Sequence, residues 1–320
     1  MVAAEAKFRL AIIGVGGWGK NHARVLYELG VLEAICDTDL PLAKKIAYKH
    51  NAKPYNSIDE MLTKETTLDA CLVCTPTKSH FAVAKKIMER GIHVFVEKPL
   101  SFSSRECQEM TQIAEKRKVI LTSGYIERFN PAVQDVKRLI EGKVYGDLLM
   151  MEFHRENRMP LHVKDVGIIY DTSVHDIDTA MFLFNSKPQV IFARAGKKFH
   201  LYEDFATIML GFEDQKVAII ASNWITPKRV RTFSGVCTEG IFTGDFITQE
   251  IKIDQGEATL IPRRQHQEPL VLELKGFLDV IEGKISKPIV SAEEATNVTR
   301  VAEAALLSTN TGSPIYLDIK

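Results

Sequence analysis

The strongest chemical signal in the sequence is a glycine-rich turn near its start. Gly14, Gly16 and Gly19, with Gly17 and Trp18 between them, form a GxGxxG pattern after an apolar run and before a helical pattern. The first glycine allows a tight turn, the second lets a backbone approach a pyrophosphate, and the third lets helix and strand pack closely. The helix N-terminus offers unpaired N–H groups to an anion. The pattern predicts a dinucleotide phosphate site, with an ordinary glycine-rich turn as the alternative.

An acidic residue follows this motif at the spacing that ribose recognition needs. Asp37 comes directly after the apolar run Leu32–Cys36, where its carboxylate would accept hydrogen bonds from both hydroxyls of the adenosine ribose. No Arg or Lys lies between Asp37 and Lys44 to receive a 2′-phosphate. We therefore predict NAD rather than NADP as the cofactor. We interpret Asp39 as a helix cap or surface acid.

Two further apolar runs end in polar residues. One ends at Thr75 and Pro76, with His80 following, and the next ends at Glu97 and Lys98. Open α/β sheets bind ligands at the carboxyl ends of their strands, so these residues would face the ligand. Lys98 could hold or release a proton there. The alternative is that Lys98 is a solvated loop charge.

A third cluster combines carboxylates with an imidazole. Asp171, His175 and Asp178 are spaced i, i+4 and i+7, which places them on one face of a helix. A carboxylate one turn from an imidazole can orient it, as a general base for a sugar hydroxyl requires. Two other interpretations stay open: an acid-rich helix N-terminus and a metal site.

The composition limits the classes of protein that could present these groups. The chain has 320 residues, and its 41 Lys+Arg balance 41 Asp+Glu, which argues against a non-specific nucleic-acid binder. No apolar run is long enough for a membrane helix, and Met1–Lys7 do not resemble a secretory signal. Cys71 and Cys74 form a CxxC inside an apolar run, so we interpret them as buried strand thiols. We expect a cytoplasmic enzyme without a bound metal.

The first part of the chain must position the glycine motif. Short apolar runs alternate with helical patterns up to about Ser123, which favours a parallel sheet covered on both faces. Ser57 with Glu60, and Ser103 with Glu106, have capping-box spacing, and Gly91 follows a helical pattern where a helix should end. The runs are Phe8–Ile13, Leu32–Cys36, Ala70–Cys74, Val94–Val96 and Val119–Leu121.

The pattern changes after Ser123. A helix over Asn130–Glu141, with Pro131 in its first turn, precedes short strand patterns separated by turn residues. Further helices are predicted at about Asp171–Phe184, Pro269–Glu282 and Ala292–Ser308. We therefore predict an α/β Rossmann domain over residues 1–123. An α+β domain with a large, mainly antiparallel open sheet should follow over 124–320 and serve substrate binding and oligomerisation.

Taken together, the motifs resemble a known family. Gly14–Gly19, Thr75-Pro76 with His80, Glu97-Lys98-Pro99, and Asp171 with His175 occur in the order found in the glucose–fructose oxidoreductase, inositol dehydrogenase and MocA family. The resemblance covers essentially the whole chain. It implies NAD(P)-dependent oxidation of a hydroxyl on a sugar or polyol, by a protein that forms dimers or tetramers.

The resemblance also implies roles for individual residues. Lys98 and His175 would be the catalytic pair, and Asp171 would hold the substrate or orient His175. Glu97 and Thr75 would line the nicotinamide half of the cofactor, next to Pro76 and His80. The Lys98–Pro99 peptide bond would be cis.

Narrower features are similar to dehydrogenases of UDP-N-acetylhexosamines, of the UDP-N-acetylglucosamine 3-dehydrogenase type. They include the stretch Gly124–Pro131, which contains Arg128 and Asn130, and Trp224 with Arg231. This similarity implies that Arg128, Asn130, Asp171 and His175 bind the substrate. Arg155 and the basic stretch Lys228–Arg231 could meet a diphosphate or form the solvated face of a strand.

We therefore predict an NAD-dependent oxidoreductase that oxidises a ring hydroxyl of a nucleotide sugar, UDP-N-acetylglucosamine at C3 being the first choice. The alternatives are a dehydrogenase of a free sugar or inositol-like polyol, a non-catalytic NAD or sugar sensor, and a metal-dependent lyase. The presence of both Lys98 and His175 favours an enzyme over a sensor.

Overall fold

The computed structural model describes residues 8–160, 163 and 165–317. The prediction about Met1–Lys7 therefore lies outside the described residues. The chain divides into two compact units. The first contains residues 1–124 and Leu270–Thr296, and the second contains Tyr125–Pro269 and Asn297–Lys320.

The first unit contains a parallel sheet, as predicted, and the sheet has six strands. Its order is β3-β2-β1-β4-β5-β6, and every neighbouring pair is parallel. The direction of winding reverses between β1 and β4, which is where such sheets bind ligands. The strands are β1 (Leu10–Ile13), β2 (Leu32–Cys36), β3 (Lys53–Tyr55), β4 (Ala70–Val73), β5 (His93–Val96) and β6 (Leu121–Ser123).

Five helices connect these strands: α1 (Gly19–Glu28), α2 (Leu40–Lys49), α3 (Ile58–Lys64), α4 (His80–Met88) and α5 (Ser104–Arg117). Asp39 caps α2 by accepting from the Leu42 N–H at 3.0 Å, and Ser57 caps α3 through the Glu60 N–H at 3.4 Å. The cap predicted at Ser103 is wrong, because its side chain makes no capping bond. The Ser101 hydroxyl donates to the Glu106 carboxylate instead.

The helix α8 (Pro269–Ile281) shows that the second domain is not continuous in sequence. We expected one domain over 124–320, but Leu270–Thr296 cluster with the first unit. The Phe277 ring lies 5.8 Å from that of Phe95 on β5. The Thr122 hydroxyl donates to the Val290 carbonyl at 2.7 Å. These contacts explain why the segment belongs with the parallel sheet.

The second unit contains a nine-stranded sheet in the order β14-β13-β12-β11-β7-β10-β9-β8-β15. Every neighbouring pair is antiparallel except β7 with β10, so the predicted mainly antiparallel sheet is confirmed. The strands are β7 (Leu148–Glu156), β8 (Val190–Gly196), β9 (Phe205–Gly211), β10 (Val217–Asn223), β11 (Val230–Cys237), β12 (Gly240–Asp245), β13 (Ile251–Gln255), β14 (Ala258–Leu260) and β15 (Ile315–Tyr316).

One face of this sheet forms the core of the second unit. Phe153, Ile208, Ile220 and Phe233 are buried on that face, and the helix α7 (Val174–Phe184) contacts β7 and β10 there. The other helices are α6 (Pro131–Glu141), which contacts α7, and α9 (Ala292–Thr311). The residues that alternate with these along each strand form the opposite face of the sheet. They are partly or fully exposed. Among the described residues, no helix is long and apolar enough to cross a membrane.

Candidate active site

The glycine turn has the shape that a dinucleotide phosphate site requires. Gly14 has φ +88°, and a Cβ there would lie 2.7 Å from the Cys74 carbonyl oxygen. A Cβ on Gly19 would collide with the Gly14 carbonyl, so this glycine lets α1 begin against the turn. A Cβ on Gly16 would meet nothing within 4 Å. The space above Gly16 and the start of α1 therefore fit a pyrophosphate.

Gly17 and Trp18 complete the turn. Both are exposed, and the Trp18 side chain makes no capping bond to α1. The first N–H groups of an α-helix lack carbonyl partners one turn earlier, and in α1 the Asn21 N–H donates to the Trp18 carbonyl at 2.8 Å. The arrangement leaves the backbone donors at the position where we predict the cofactor phosphates.

Asp37 lies directly beside this turn, as expected. One of its carboxylate oxygens accepts from the Val15 N–H at 2.8 Å, and the other accepts from the Asp39 N–H at 3.0 Å. Two backbone donors therefore fix the orientation of the carboxylate at the end of β2. The contact with the ribose stays a prediction, and the position of the carboxylate fits it.

The end of β5 holds Glu97 in a fixed orientation. Its Oε1 lies 2.6 Å from His22 Nε2 on α1, and its Oε2 accepts from the Lys98 N–H at 3.0 Å. His22 is fully buried and Glu97 is 9% exposed. The Lys98–Pro99 peptide bond is cis, as the resemblance implied. Sequence reasoning missed His22, although it lies three residues after Gly19, on the buried face of α1.

His80 connects the ends of β4 and β5. Its ring nitrogens lie 2.9 Å from the Pro99 carbonyl and 2.8 Å from the Thr75 carbonyl, and the side chain is 1% exposed. Thr75 Oγ1 also lies 2.8 Å from Ser79 Oγ. Pro76 is exposed at the same strand end. The predicted residues Thr75, Pro76 and His80 therefore lie together, and His80 holds the shape of the loop.

In the second unit, Asp171 and His175 lie where two kinds of helix meet. Asp171 is in a π-helical segment, Ile169–Ser173, and His175 is in the first turn of α7. Such wide turns occur frequently at functional sites. The Asp171 carboxylate accepts from Thr172 Oγ1 at 3.1 Å, and that hydroxyl accepts from Trp224 Nε1 at 3.1 Å. Trp224 therefore fixes the turn that carries Asp171.

Two of the predicted substrate residues are buried in ion pairs and hydrogen bonds. Arg128 donates to both carboxylate oxygens of Asp178 at 2.7–3.1 Å. Asn130 caps α6 through the Ala132 N–H at 3.1 Å. Each of these two predicted residues is 1% exposed. Their contact with the substrate stays a prediction, and the structure gives their polar groups these internal partners.

Arg155 is also 1% exposed, so its interpretation as a solvated strand residue is wrong. It donates to both oxygens of Asp176 at 2.8–3.1 Å and to Glu127 at 3.0 Å. Burial alone would lower the pKa of the guanidinium, but the two carboxylates outweigh burial and raise it. Because Asp176 follows His175 on α7, this cluster fixes the start of that helix. The contact of Arg155 with a substrate likewise stays a prediction.

Arg231 differs from these two arginines. It is paired with Arg155 across β11 and β7. Its Nε is buried and has no hydrogen-bond partner among the residues that the structure describes. Burial and the neighbouring Arg155 lower the pKa of Arg231 to about 10. A buried guanidinium with an unpaired N–H is stabilised by a ligand that is anionic or carries a strong hydrogen-bond acceptor.

The geometry gives Asp178 a different role from the one its spacing suggested. Its carboxylate is fully buried against Arg128. Within residues 8–160, 163 and 165–317, no group of three His, Cys, Asp or Glu side chains is arranged to hold a metal ion. Cys71 is buried in β4, and burial raises the pKa of its thiol to about 12. It therefore behaves as the buried strand thiol we predicted, whereas Cys74 lies just after β4 and is only partly buried.

Comparison with known proteins identifies both parts of the chain. Residues 8–125 match the GFO_IDH_MocA oxidoreductase family with an NAD-binding Rossmann fold. Residues 133–243 match the GFO/IDH/MocA C-terminal domain.

Two curated relatives and one solved structure illustrate the similarity. UDP-N-acetylglucosamine 3-dehydrogenase of Acidithiobacillus ferrooxidans is 26% identical over 254 residues, 79% of each chain. The scyllo-inositol 2-dehydrogenase (NAD⁺) of Bacillus subtilis is 28% identical over 342 aligned positions, 99% of this chain and 98% of its own. The structure of the Acidithiobacillus enzyme matches with a TM-score of 0.88 at 23% identity, over 95% of this chain and 98% of that one.

Proposed function

Because the chain belongs to the Gfo/Idh/MocA family of NAD-dependent oxidoreductases, we propose that it oxidises the C3 hydroxyl of UDP-N-acetylglucosamine. The product is the 3-keto sugar. The similarity to a UDP-N-acetylglucosamine 3-dehydrogenase in both sequence and fold supports this choice of substrate.

The chemistry divides between the cofactor and the side chains of the chain. NAD, when bound, supplies the acceptor for the hydride that leaves the sugar carbon. His175 accepts the hydroxyl proton as the C=O bond forms, and Lys98 is the second group able to exchange that proton. Asp171 holds the substrate or orients the imidazole of His175. Gly14–Gly19 and Asp37 hold the cofactor, and Glu97 and Thr75 line its nicotinamide half.

The buried arginines are assigned two different tasks. Arg128 and Arg155 are paired with buried carboxylates, so we assign them to the positioning of α7 and its His175. Arg231 Nε has no hydrogen-bond partner among the described residues, so we assign this guanidinium to an acceptor oxygen of the nucleotide sugar, in the diphosphate first. This Arg231 guanidinium is the single observation that carries the nucleotide-sugar proposal.

The test is a panel of substrates with NAD, followed by NADH absorbance at about 340 nm. We expect kcat/KM for UDP-N-acetylglucosamine to exceed that for free N-acetylglucosamine by roughly 100-fold, because binding energy from the UDP moiety assists the reacting centre. Arg231→Gln should reduce this ratio. Arg229→Gln, at an exposed position on the same stretch, should leave it unchanged. Equal kcat/KM for the nucleotide sugar and the free sugar would reject the substrate.

The second candidate is oxidation of a free polyol. The scyllo-inositol dehydrogenase aligns with 99% of this chain at slightly higher identity than the nucleotide-sugar enzyme. Inositols belong in the same panel of substrates. Turnover of an inositol that Arg231→Gln does not change would favour this second function.

We also propose that the exposed face of the nine-stranded sheet joins copies of the chain. Strand register places Val190, Val217, Met150, Val236 and Ile241 in one apolar row across that face, and Ile241 is 45% exposed. The other four residues of the row are partly exposed, and an apolar row that solvent reaches is a candidate interaction surface. Light scattering on the purified protein would measure whether it is a dimer, a tetramer or a monomer.

A further inference from the structure

A buried imidazole connects the cofactor turn to the start of the Lys98 loop. His22 lies on α1, in the turn of helix after Gly19, and is fully buried. Its Nε2 lies 2.6 Å from Glu97 Oε1. Its ring packs edge-on against Phe95 at 5.4 Å between centroids. Both the ring plane and the position of Nε2 are therefore fixed by packing.

The contact between His22 and Glu97 has a preferred direction of donation. A carboxylate accepts and cannot donate, so His22 Nε2 carries the hydrogen. His22 Nδ1 is buried without a hydrogen-bond partner among the described residues. The geometry therefore fits a hydrogen bond in which His22 Nε2 donates to the Glu97 carboxylate.

The second oxygen of Glu97 continues the connection. It accepts from the Lys98 N–H at 3.0 Å, so the imidazole and the Lys98 backbone hold the two ends of one carboxylate. Gly124 leaves room for this arrangement, since a Cβ there would lie 3.2 Å from the Glu97 carboxyl. Without His22, the carboxylate would lose one of its two anchors and could rotate away from the Lys98 N–H.

We propose that His22 is a positioning residue, which orients Glu97 and through it the backbone from which Lys98 projects. The role of Lys98 in proton exchange rests on the proposed function; the positioning of its backbone does not. Since α1 also provides the turn for the cofactor phosphates, His22 ties the place of Lys98 to the helix that holds the cofactor.

The experiment compares three substitutions at His22 with one control. His22→Leu removes the donor at similar volume, and His22→Met gives a second donor-free variant with a more adaptable side chain. His22→Gln keeps an N–H donor at about the position of Nε2. The control is His50→Leu, because His50 is also a buried histidine of the first unit, 5% exposed, at the end of α2.

Two measurements are made on each variant. Hydrogen exchange with mass spectrometry on a peptide covering Val96–Leu100 reports the Lys98 N–H and needs no substrate. We expect roughly 10-fold faster exchange in His22→Leu and His22→Met, and near wild-type exchange in His22→Gln and His50→Leu. Turnover should fall roughly 10–100-fold in the donor-free variants, with NAD affinity changed by less than about 3-fold, because a small misplacement of a reacting group is costly.

The outcomes separate this inference from the proposed function. Faster exchange at Lys98 that His22→Gln reverses supports the inference, even if the wild-type protein turns over no UDP-sugar. Unchanged exchange and turnover in both donor-free variants would overturn it. Equal effects of His22→Leu, His22→Gln and His50→Leu would also overturn it, because they would show a general loss of stability.

Discussion

Asp37→Asn should remove most of the discrimination between NAD and NADP. The wild-type carboxylate is fixed by the Val15 and Asp39 N–H groups, so it cannot turn away from a 2′-phosphate on the ribose. At about 4 Å and an effective dielectric near 20, two like charges repel by ~4 kcal/mol. Asp37 is partly exposed, and solvent reduces this severalfold. A preference for NAD of roughly 10–100-fold remains.

Asparagine has the same shape and no charge, so its one side-chain oxygen can still accept from one of the two N–H groups. We expect the ratio of the two dissociation constants to fall within about 3-fold of unity. NAD itself should bind somewhat more weakly, since hydrogen bonds to a charged acceptor contribute ~1.5–3 kcal/mol. Trp18 lies in the cofactor turn and is 49% exposed, so its fluorescence can follow both titrations.

The matched control is Asp39→Asn. Asp39 is two residues away and caps α2, so its substitution removes a nearby charge without touching the acceptor of the Val15 N–H. Its cofactor preference should stay that of the wild type, and added salt should weaken the wild-type preference. Equal wild-type dissociation constants for NAD and NADP, or an unchanged preference in Asp37→Asn, would refute the reasoning.

Three further substitutions test the second unit. His175→Ala should lower kcat by ~10²–10⁴ while NAD affinity stays nearly constant, measured by NADH formation and by cofactor titration. Arg155→Met leaves Asp176 and Glu127 buried without their cation, so chemical denaturation should show a loss of ~3–5 kcal/mol in the free energy of unfolding. Ile241→Lys places a charge in the exposed apolar row, and light scattering should show a smaller assembly.

Each of these expectations has a result that contradicts it. Near wild-type turnover in His175→Ala would leave Lys98 as the only proton-exchanging residue of the proposed pair. Arg138→Met, at a residue whose side chain is 67% exposed, should cost little stability. If it lowered the free energy of unfolding as much as Arg155→Met does, the loss could not be assigned to the buried ion pairs of Arg155. An unchanged assembly in Ile241→Lys would exclude the apolar row as the interface.

The sequence predicted those parts of the fold that depend on local patterns. Buried parallel strands appear as continuous apolar runs, so five of the six strands of the first sheet were found at close to their observed positions. β3 was missed because it is short, contains Pro54 and lies at the edge of the sheet. β14 and β15 were missed for a similar reason, having three and two residues.

In the candidate site too, residues close in sequence were predicted and contacts between distant residues were not. Gly14–Gly19 and Asp37 lie close in sequence, and their spacing already determines their geometry. The contact of His22 with Glu97 spans 75 positions, and that of Arg155 with Asp176 spans 21 across different elements. Such pairs depend on how strands and helices pack, which a single sequence does not encode locally. The π-helical segment around Asp171 was likewise predicted only as helix.

The late position of α8 has a consequence for synthesis. In the first unit, the segment Leu270–Thr296 follows Gly124 only after about 145 further residues have been translated. At ~5–20 residues per second, the parallel sheet waits roughly 7–30 s on the ribosome before Phe277 can reach Phe95. During this interval the apolar surface that Phe277 later covers is open to chaperones and to other nascent chains. Ribosomes stalled before residue 270 should therefore carry a first unit that proteases cleave readily.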